Sequence, residues 1–509
     1  MKKKWFRLLF RRRVFVIFLL ILQVALMVMT IYSSSQTYQW ISNLLSLLSV
    51  VVVLHVISTA RRAPYKLLWS VVILTFPLFG GLMYLMVRLQ GMTMAFKKHL
   101  GRAEAALKPR FMPSSAVKEA FLELHPDYAN QCRYLTDACL FPVYHNDSAT
   151  YLTPGEEKFQ ALLHALSQAE RFIFLEYFII EEGKMWNSIL EILQKKAKEG
   201  VEVRLIYDDL GCFLLLPYDY EKKLAGMGIR CVVFNKFRPA LSTLQNHRDH
   251  RKIAVIDGKW AFCGGVNLAD EYINEKTRYG HWKDATLQLS GPAVDSYTYM
   301  FLTLWQALTG EETDVTCYLA PKGNSEESDG YVIPYCDKPV DDEYVSEKVY
   351  LNVINGARRY LYIETPYLII DDSMVSALIL AAKNGVDVKI MTPGMPDKWY
   401  VHMTTQSYYH ELLSGGVKIY EYSPGFLHAK VMVADDAVAT VGTVNLDYRS
   451  LYLHFECGTW LCDSQAIPAI RNDFEETLKV CKEITRKDCK SGFFRRLLQS
   501  LLRLLAPLM

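Results

Sequence analysis

At 509 residues the chain is long enough for several domains, and its formal net charge of +3 is too small to mark it as a nucleic-acid binder. Its 11 cysteines include no C-x-x-C pair and no Cys/His spacing suited to zinc, so members in apolar runs, such as Cys231 and Cys263, read as buried thiols. No P-loop or dinucleotide glycine signature accompanies a strand–helix junction, which argues against nucleotide-driven chemistry.

Residues 1–90 read as a helical transmembrane anchor region. Three apolar stretches, 14–32, 37–57 and 67–87, each approach the roughly twenty residues that cross a bilayer core. Lys2, Lys3, Lys4, Arg7, Arg11, Arg12 and Arg13 lead the first, which is long for a signal peptide and has no A-x-A site after it. Charge before the first span and at Arg61, Arg62 and Lys66 places both segments on the cytoplasmic side. Three crossings would then put the rest of the chain outside, whereas Arg88, Lys97, Lys98 and Arg102 argue for inside. Pro77 and Gly80-Gly81 also allow the third stretch to re-enter, so the side stays open. Residues 91–130 mix apolar side chains with Lys97, Lys98, Arg102, Lys108 and Arg110 and read as an interfacial linker.

Beyond them the chain repeats itself. Residues 131–320 hold an apolar run with Glu176, a helical stretch at 187–198, strand-like runs from Gly200 and Gly228, then His250-x-Lys252-x-x-x-x-Asp257 and Gly264-Gly265-Val266-Asn267. Residues 331–490 give the same order: a run with Glu364, a helical stretch at 373–383, runs from Gly385 and Gly416, then His428-x-Lys430-x-x-x-x-Asp435 and Gly442-Thr443-Val444-Asn445. One long period means a duplicated domain, since solenoid repeats are much shorter. The alternation predicts two α/β halves, each a mixed sheet flanked by helices. Residues 323–330, polar and glycine-flanked, read as the linker or surface loop between them, and 491–509 as a basic amphipathic helix lying on lipid or on the protein's own core.

The repeated frame carries the chemistry. Residues i and i+2 of a strand share a face, so each histidine projects with its lysine. One neutral imidazole can attack phosphorus while the other, protonated, supplies the leaving alkoxide with a proton. His250 is assigned as nucleophile and His428 as acid/base, although the symmetry permits the reverse. Lys252, Lys430, Asn267 and Asn445 are expected to hold the phosphate oxygens. Asp284 and Glu456, beyond the glycine turns, are candidates to orient the imidazoles. Asp257 and Asp435 complete the catalytic frames and read as anchors of the turn that carries the glycines. No metal or other cofactor is required.

Blander readings apply to the neighbours. His247 has no counterpart before His428 and reads as a surface residue or one behind the site. Arg248 and Arg251 either steer an anionic headgroup or belong to a solvated turn. Glu176 and Glu364 mark polar strand ends near the site, or repeat architecture alone.

The doubled frame resembles the phospholipase D superfamily. HRK in the first motif, ETPY at Glu364, NLDYRS at Asn445, residues 61–85 and the Leu-rich ending with a late proline resemble bacterial cardiolipin synthases. That resemblance implies an active site between the two halves, a phosphatidylated histidine and no metal. It also implies a multi-pass protein of the bacterial cytoplasmic membrane that condenses two phosphatidylglycerols to cardiolipin and glycerol. Its partners would be phosphatidylglycerol and anionic lipids, not nucleic acid. Transfer to water or another alcohol is the alternative within this chemistry, because acceptor choice depends on pocket shape. A nuclease or a membrane scaffold fits the apolar segments and intact motifs less well.

Overall fold

The computed structural model describes residues 12–32, 36–59, 62–88, 91–111, 115–236, 246–321, 329–341 and 343–508. They divide into a helical N-terminal unit, up to Ala95, and a larger unit spanning Phe96–Lys236 and His247–Arg503.

The N-terminal unit contains α1 (Arg12–Tyr32), α2 (Gln36–Ser58), α3 (Ala63–Thr75) and α4 (Pro77–Arg88). Of three expected crossings, the described residues give one helix long and apolar enough, Tyr38–Ser58; Phe18–Met29 and Ala63–Thr75 are shorter. The stretch 67–87 is broken. Pro77 has no N–H to give the preceding turn and holds Phe76 at φ −128°, ψ 74°, so α3 stops and α4 starts. Gln23 Oε1 on α1 satisfies a freed amide, accepting from Leu78 N–H at 3.0 Å. Gly80 lies so close to α3 that a Cβ there would meet the Ile73 Cα at 2.7 Å. Val53, Val56, Ile73 and Tyr84 form the small core.

The strands of the larger unit are β1 (Tyr144–His145), β2 (Ser148–Leu152), β3 (Phe172–Tyr177), β4 (Glu202–Asp208), β5 (Arg230–Phe234), β6 (Lys252–Ile256), β7 (Trp260–Gly264), β8 (His281–Lys283), β9 (Thr286–Ser290), β10 (Tyr331–Asp337), β11 (Tyr360–Glu364), β12 (Leu368–Ile369), β13 (Asp387–Pro393), β14 (Lys418–Tyr422), β15 (Gly425–Leu427), β16 (Val431–Ala434), β17 (Val438–Gly442), β18 (Leu446–Asp447), β19 (Glu456–Cys462) and β20 (Cys481–Ile484). One sheet runs β2-β9-β7-β6-β3-β4-β5; the other runs β1-β10-β19-β17-β16-β11-β13-β14-β20. Seven strands of each follow one order, β2-β9-β7-β6-β3-β4-β5 matching β10-β19-β17-β16-β11-β13-β14. In both, three parallel strands (β3, β4, β5; β11, β13, β14) meet the motif strand (β6; β16) antiparallel. These are the two mixed-sheet halves that the repeat predicts.

Strands β3, β6, β11 and β16 are buried along their whole length, which is why they read as continuous apolar runs rather than alternating ones. Helices α5 (Gly155–Ser167) and α6 (Lys184–Lys198) bury Phe159, Leu162, Trp186 and Ile189 in the first half's core. Helix α7 (Val294–Thr309) stacks Phe301 on Phe174 of β3, centroids 4.6 Å apart. The halves meet where β7 and β9 pack on β17 and β19. There Cys263 Sγ lies 3.5 Å from Cys457 Sγ and Tyr297 shares a 2.6 Å hydrogen bond with Thr459. Both thiols of that pair are buried, whereas Cys231 is only half-buried.

Three peripheral segments refine the expectations. From Phe96 onward the basic segment packs on the larger unit, with Leu100, Ala103 and Leu107 buried and Phe96 edge-on to Phe234 and Phe455. Residues 322–328, most of the expected linker, lie outside the described residues. The last helix, Phe493–Leu505, turns its polar side inward: Arg495 donates to Gln406 and Arg503 to Glu411. Phe493, Phe494, Leu497 and Leu501 face outward.

Candidate active site

Each motif histidine sits just ahead of its strand and is stitched to the opposite half. His250 N–H donates to the Phe455 carbonyl at 2.9 Å, and His428 N–H to the Lys283 carbonyl at 2.7 Å. Short parallel bridges flank them: Asp249 with Phe455, and Leu427 with Lys283. The residue after each bridge partner is an acid. Glu456 therefore reaches Nδ1 of His250 at 2.8 and 3.0 Å, and Asp284 reaches Nδ1 of His428 at 2.6 Å. Both carboxylates belong to the sequence-predicted set; what the structure adds is that each serves the histidine of the other half.

The glycine turns make room for these acids. A Cβ on Gly265 would collide with the Asp284 carboxylate, so no side chain fits there. The equivalent Thr443 instead donates its hydroxyl to Glu456. With Nδ1 engaged, each ring is left with Nε2 for chemistry, and the residual exposures of 8 % and 6 % leave both rings only narrowly accessible.

The lysines behave alike. Lys252 Nζ donates to the His250 carbonyl and Lys430 Nζ to that of His428. Burial, then Lys252, Lys430 and His428, hold His250 far below the ordinary imidazole range. Burial and Lys430 bring His428 to about 4, against the pull of Asp284. Burial likewise lowers Lys252 to about 8 and Lys430 to about 7. Four nitrogen bases thus share one desolvated space and suppress each other's charge. An anion placed among them reverses that, raising every one of these values.

The remaining predicted residues are placed less centrally. Asp257 and Asp435 are not brought to the histidines. Each occupies a left-handed turn, at φ 56° and 60°, seven residues past its histidine and roughly 20 Å along the strand. There Asp257 accepts from the amides of Glu170, Arg171 and Phe172 at 2.8–2.9 Å, and Asp435 from those of Arg358, Arg359 and Tyr360 at 2.7–2.9 Å. They tie the turn after the motif strand to the start of β3 and β11. Asn267 is committed to the fold, accepting from Ile179 N–H at 3.0 Å and donating to Tyr272 OH at 2.7 Å. Tyr272 in turn sits edge-on to His428 at 5.5 Å. The Asn445 Oδ1, in contrast, has no hydrogen-bond partner among the described residues.

Behind the histidines lie residues that sequence spacing does not rank. Glu176 stands opposite Ile253, and therefore on the face of β6 away from Lys252. Arg251 meets it there at 2.6 Å and also meets Asp249 at 3.1 Å. Arg248 is bound to Asp208, 3.3 Å away, and to the Asn235 carbonyl. Both arginines are buried, so neither steering of a headgroup nor a solvated turn describes them. His247 is partly buried, its Nδ1 3.0 Å from the Leu453 carbonyl. In the second half Ala429 replaces Arg251, and Lys283 from the first half supplies the cation near Glu364. Lys283 pairs with Asp473 at 2.7 Å, and burial raises Glu364 to about 8 against the pull of Lys283. His454, two residues before Glu456, stacks near His250 at 5.6 Å where Trp282 flanks His428 at 5.2 Å. His250, His454 and Glu456 hold their ligand atoms within 4.8 Å of one another, the arrangement among the described residues that could hold a metal ion. Lys252 and Lys430 oppose a cation there.

Comparison with known proteins matches this architecture. The family described as "Cardiolipin synthase, PLD-like domain" matches residues 162–288 and 350–478, and "Phospholipase D-nuclease N-terminal" matches 47–88. An uncharacterized protein of Streptococcus mutans is 44% identical over 90% of this chain and 99% of its own length. Cardiolipin synthase 2 of Bacillus anthracis is 37% identical over 89% of each chain. The crystal structure of a phosphatidylserine synthase from Haemophilus influenzae, 14% identical, superposes with a TM-score of 0.56 over 74% of this chain and 97% of its own, a likeness of fold. With its apolar N-terminal helix the protein is membrane-associated. The chain belongs to the cardiolipin synthase family of the phospholipase D superfamily and is a phosphatidyltransferase of that type.

Proposed function

We propose that the protein condenses two phosphatidylglycerols into cardiolipin and glycerol through a phosphatidyl-histidine. The observation that supports this is the pair of buried, neutral imidazoles, each held at Nδ1 by a carboxylate of the opposite half. His250 Nε2 attacks the phosphorus of the first lipid, and the bond from phosphorus to the glycerol headgroup breaks. His428 gives its Nε2 proton to the departing glycerol alkoxide. It then takes a proton from a hydroxyl of the second phosphatidylglycerol as that oxygen attacks phosphorus and releases His250.

The charge arrangement suits this sequence. Burial and Lys430 bring His428 to about 4, so the imidazole by itself is neutral at neutral pH. The phosphodiester anion, between Lys252 and Lys430, favours every protonated base around it and so charges the acid when substrate is present. The same lysines stabilise the charge that builds on the phosphoryl oxygens. Asn445 gives its amide hydrogen bond to Asp447, and Asn267 positions the site through Tyr272. Like the names of its curated relatives, this reading makes cardiolipin the product.

The test is mass spectrometry of products after purified protein meets phosphatidylglycerol vesicles. Cardiolipin with equimolar glycerol is expected. Phosphatidic acid in its place would make water the acceptor and overturn the condensation.

A further inference from the structure

The larger unit carries a pair of exposed apolar loops. They follow equivalent strands. After β4 the chain passes through Leu210, Phe213, Leu214 and Tyr218; after β13 it passes through Met395, Trp399 and Tyr400. All are exposed, Leu214 at 89 %, Tyr218 at 96 % and Trp399 at 64 %, which is unusual for adjacent large apolar side chains on a soluble surface.

Each loop is built onto the wall of one histidine. Gly211 in the first loop packs on the backbone of Phe178 so closely that a Cβ could not be placed, and Cys212 Sγ contacts the Phe178 carbonyl at 3.6 Å. The Phe178 ring stands edge-on to His250 at 5.0 Å. In the second loop Asp397 accepts from Tyr367 OH at 2.7 Å, and Lys398 lies over the Tyr367 ring. Tyr367 meets Phe426, which packs on His428 at 5.8 Å. Lys398 also bears electrostatically on His250. Two greasy lips, one from each half, therefore flank the pair of histidines.

We propose that these loops dock on the phospholipid bilayer and seat the mouth of the site at headgroup level. This rests on the phosphatidyl substrate proposed above. Every acyl CH₂ buried in the bilayer adds to the cost of extraction, so two long chains do not leave the membrane for the site. The headgroup must be reached with its chains still in the bilayer. Trp and Tyr are the side chains that settle at this depth, with an apolar body and a polar tip. The surface continues from the second lip along α8 (Trp399–Ser414) to α9 (Phe493–Leu505). The basic residues Arg495 and Arg503 bind α8 and its outward Phe493, Phe494, Leu497 and Leu501 extend the apolar face. Arg496, on the same helix, stays exposed, and a basic residue beside an apolar face favours an anionic bilayer over a protein partner.

Two measurements on the full chain in phosphatidylglycerol vesicles decide it. Brominated lipid should quench a tryptophan component that is missing from Trp399→Phe; equal quenching in both proteins would overturn the docking, whatever the enzyme makes. Leu214→Ser with Trp399→Ser should lower turnover of vesicle phosphatidylglycerol at least tenfold and leave a short-chain, monomeric phosphatidylglycerol turned over normally. Unchanged vesicle turnover would also overturn it, and so would equal loss on both substrates, which would make the loops part of the site's packing. Quenching at Trp399 without phosphatidylglycerol turnover by the unaltered protein would leave the docking standing and refute the substrate instead.

Discussion

The first half keeps the cation behind its motif strand within the motif, as Arg251, whereas the second has Ala429 there and borrows Lys283 across the interface. Each arrangement sets one cation against two acids: Arg251 against Glu176 and Asp249, Lys283 near Glu364 and against Asp473. The places are interchanged as well. Phe455 fills the position equivalent to Lys283, and its ring lies 5.6 Å from the Arg251 guanidinium. The orienting acids cross in the same way, Glu456 to His250 and Asp284 to His428. Duplication thus supplies two copies of the chemistry, but neither half holds a complete one.

Replacing His250 or His428 with Asn should lower turnover by roughly 10⁴-fold or more. After a quench, His428→Asn should carry phosphatidyl label on His250; label on His428 in the His250→Asn protein would reverse the two halves' roles. The crossed acids come next. Glu456→Gln and Asp284→Asn should each reduce kcat by roughly 10²- to 10³-fold with little change in KM, since they act through imidazole orientation. An effect confined to KM would remove that role.

The cations distinguish the halves by stability. Arg251→Met leaves Glu176 and Asp249, both fully buried, without it and should cost roughly 3–5 kcal/mol in denaturant unfolding. Lys283→Met should cost less, roughly 1–3 kcal/mol, because Asp473 keeps 19 % of its side-chain surface in water. Equal losses would mean that the interchange has no energetic consequence.

The smallest effect is pH-dependent. Burial raises Glu364 from 4.5 to about 8, so the folded state holds a proton that the unfolded chain has released. Its contribution to stability is present below 4.5 and is lost as pH rises toward 8. Glu364→Gln should therefore gain stability relative to the unaltered protein between pH 5 and 8. A constant difference across that window would show that Glu364 does not titrate there.

Much of the site was legible because its residues lie in short frames. A strand's period of two fixes His250 with Lys252 and His428 with Lys430 on one face, and the apolar runs around Glu176 and Glu364 mark buried parallel strands. Asp257 and Asp435 show the limit of a frame. Their spacing is as regular as that of the lysines, yet they hold backbone amides at the far end of the strand. Asn267 and Asn445 look equivalent in sequence, and only the environment separates them: Tyr272 and Ile179 occupy the first. Arg251 looked like a surface charge because nothing local reveals the buried acid on its own side of the strand. Pro77 within 67–87 did signal a break, and the break is what keeps that stretch from forming one long helix.

By itself the sequence determined the duplication, the two α/β halves, the paired His-Lys frames and the acids beyond each turn, because these follow from local periodicity and repeat spacing. Tertiary packing set which acid serves which histidine and which acid pairs with Lys283. Those pairings join residues 144, 190 and 206 positions apart. Contacts across such distances depend on how the two sheets pack, and no local pattern encodes that.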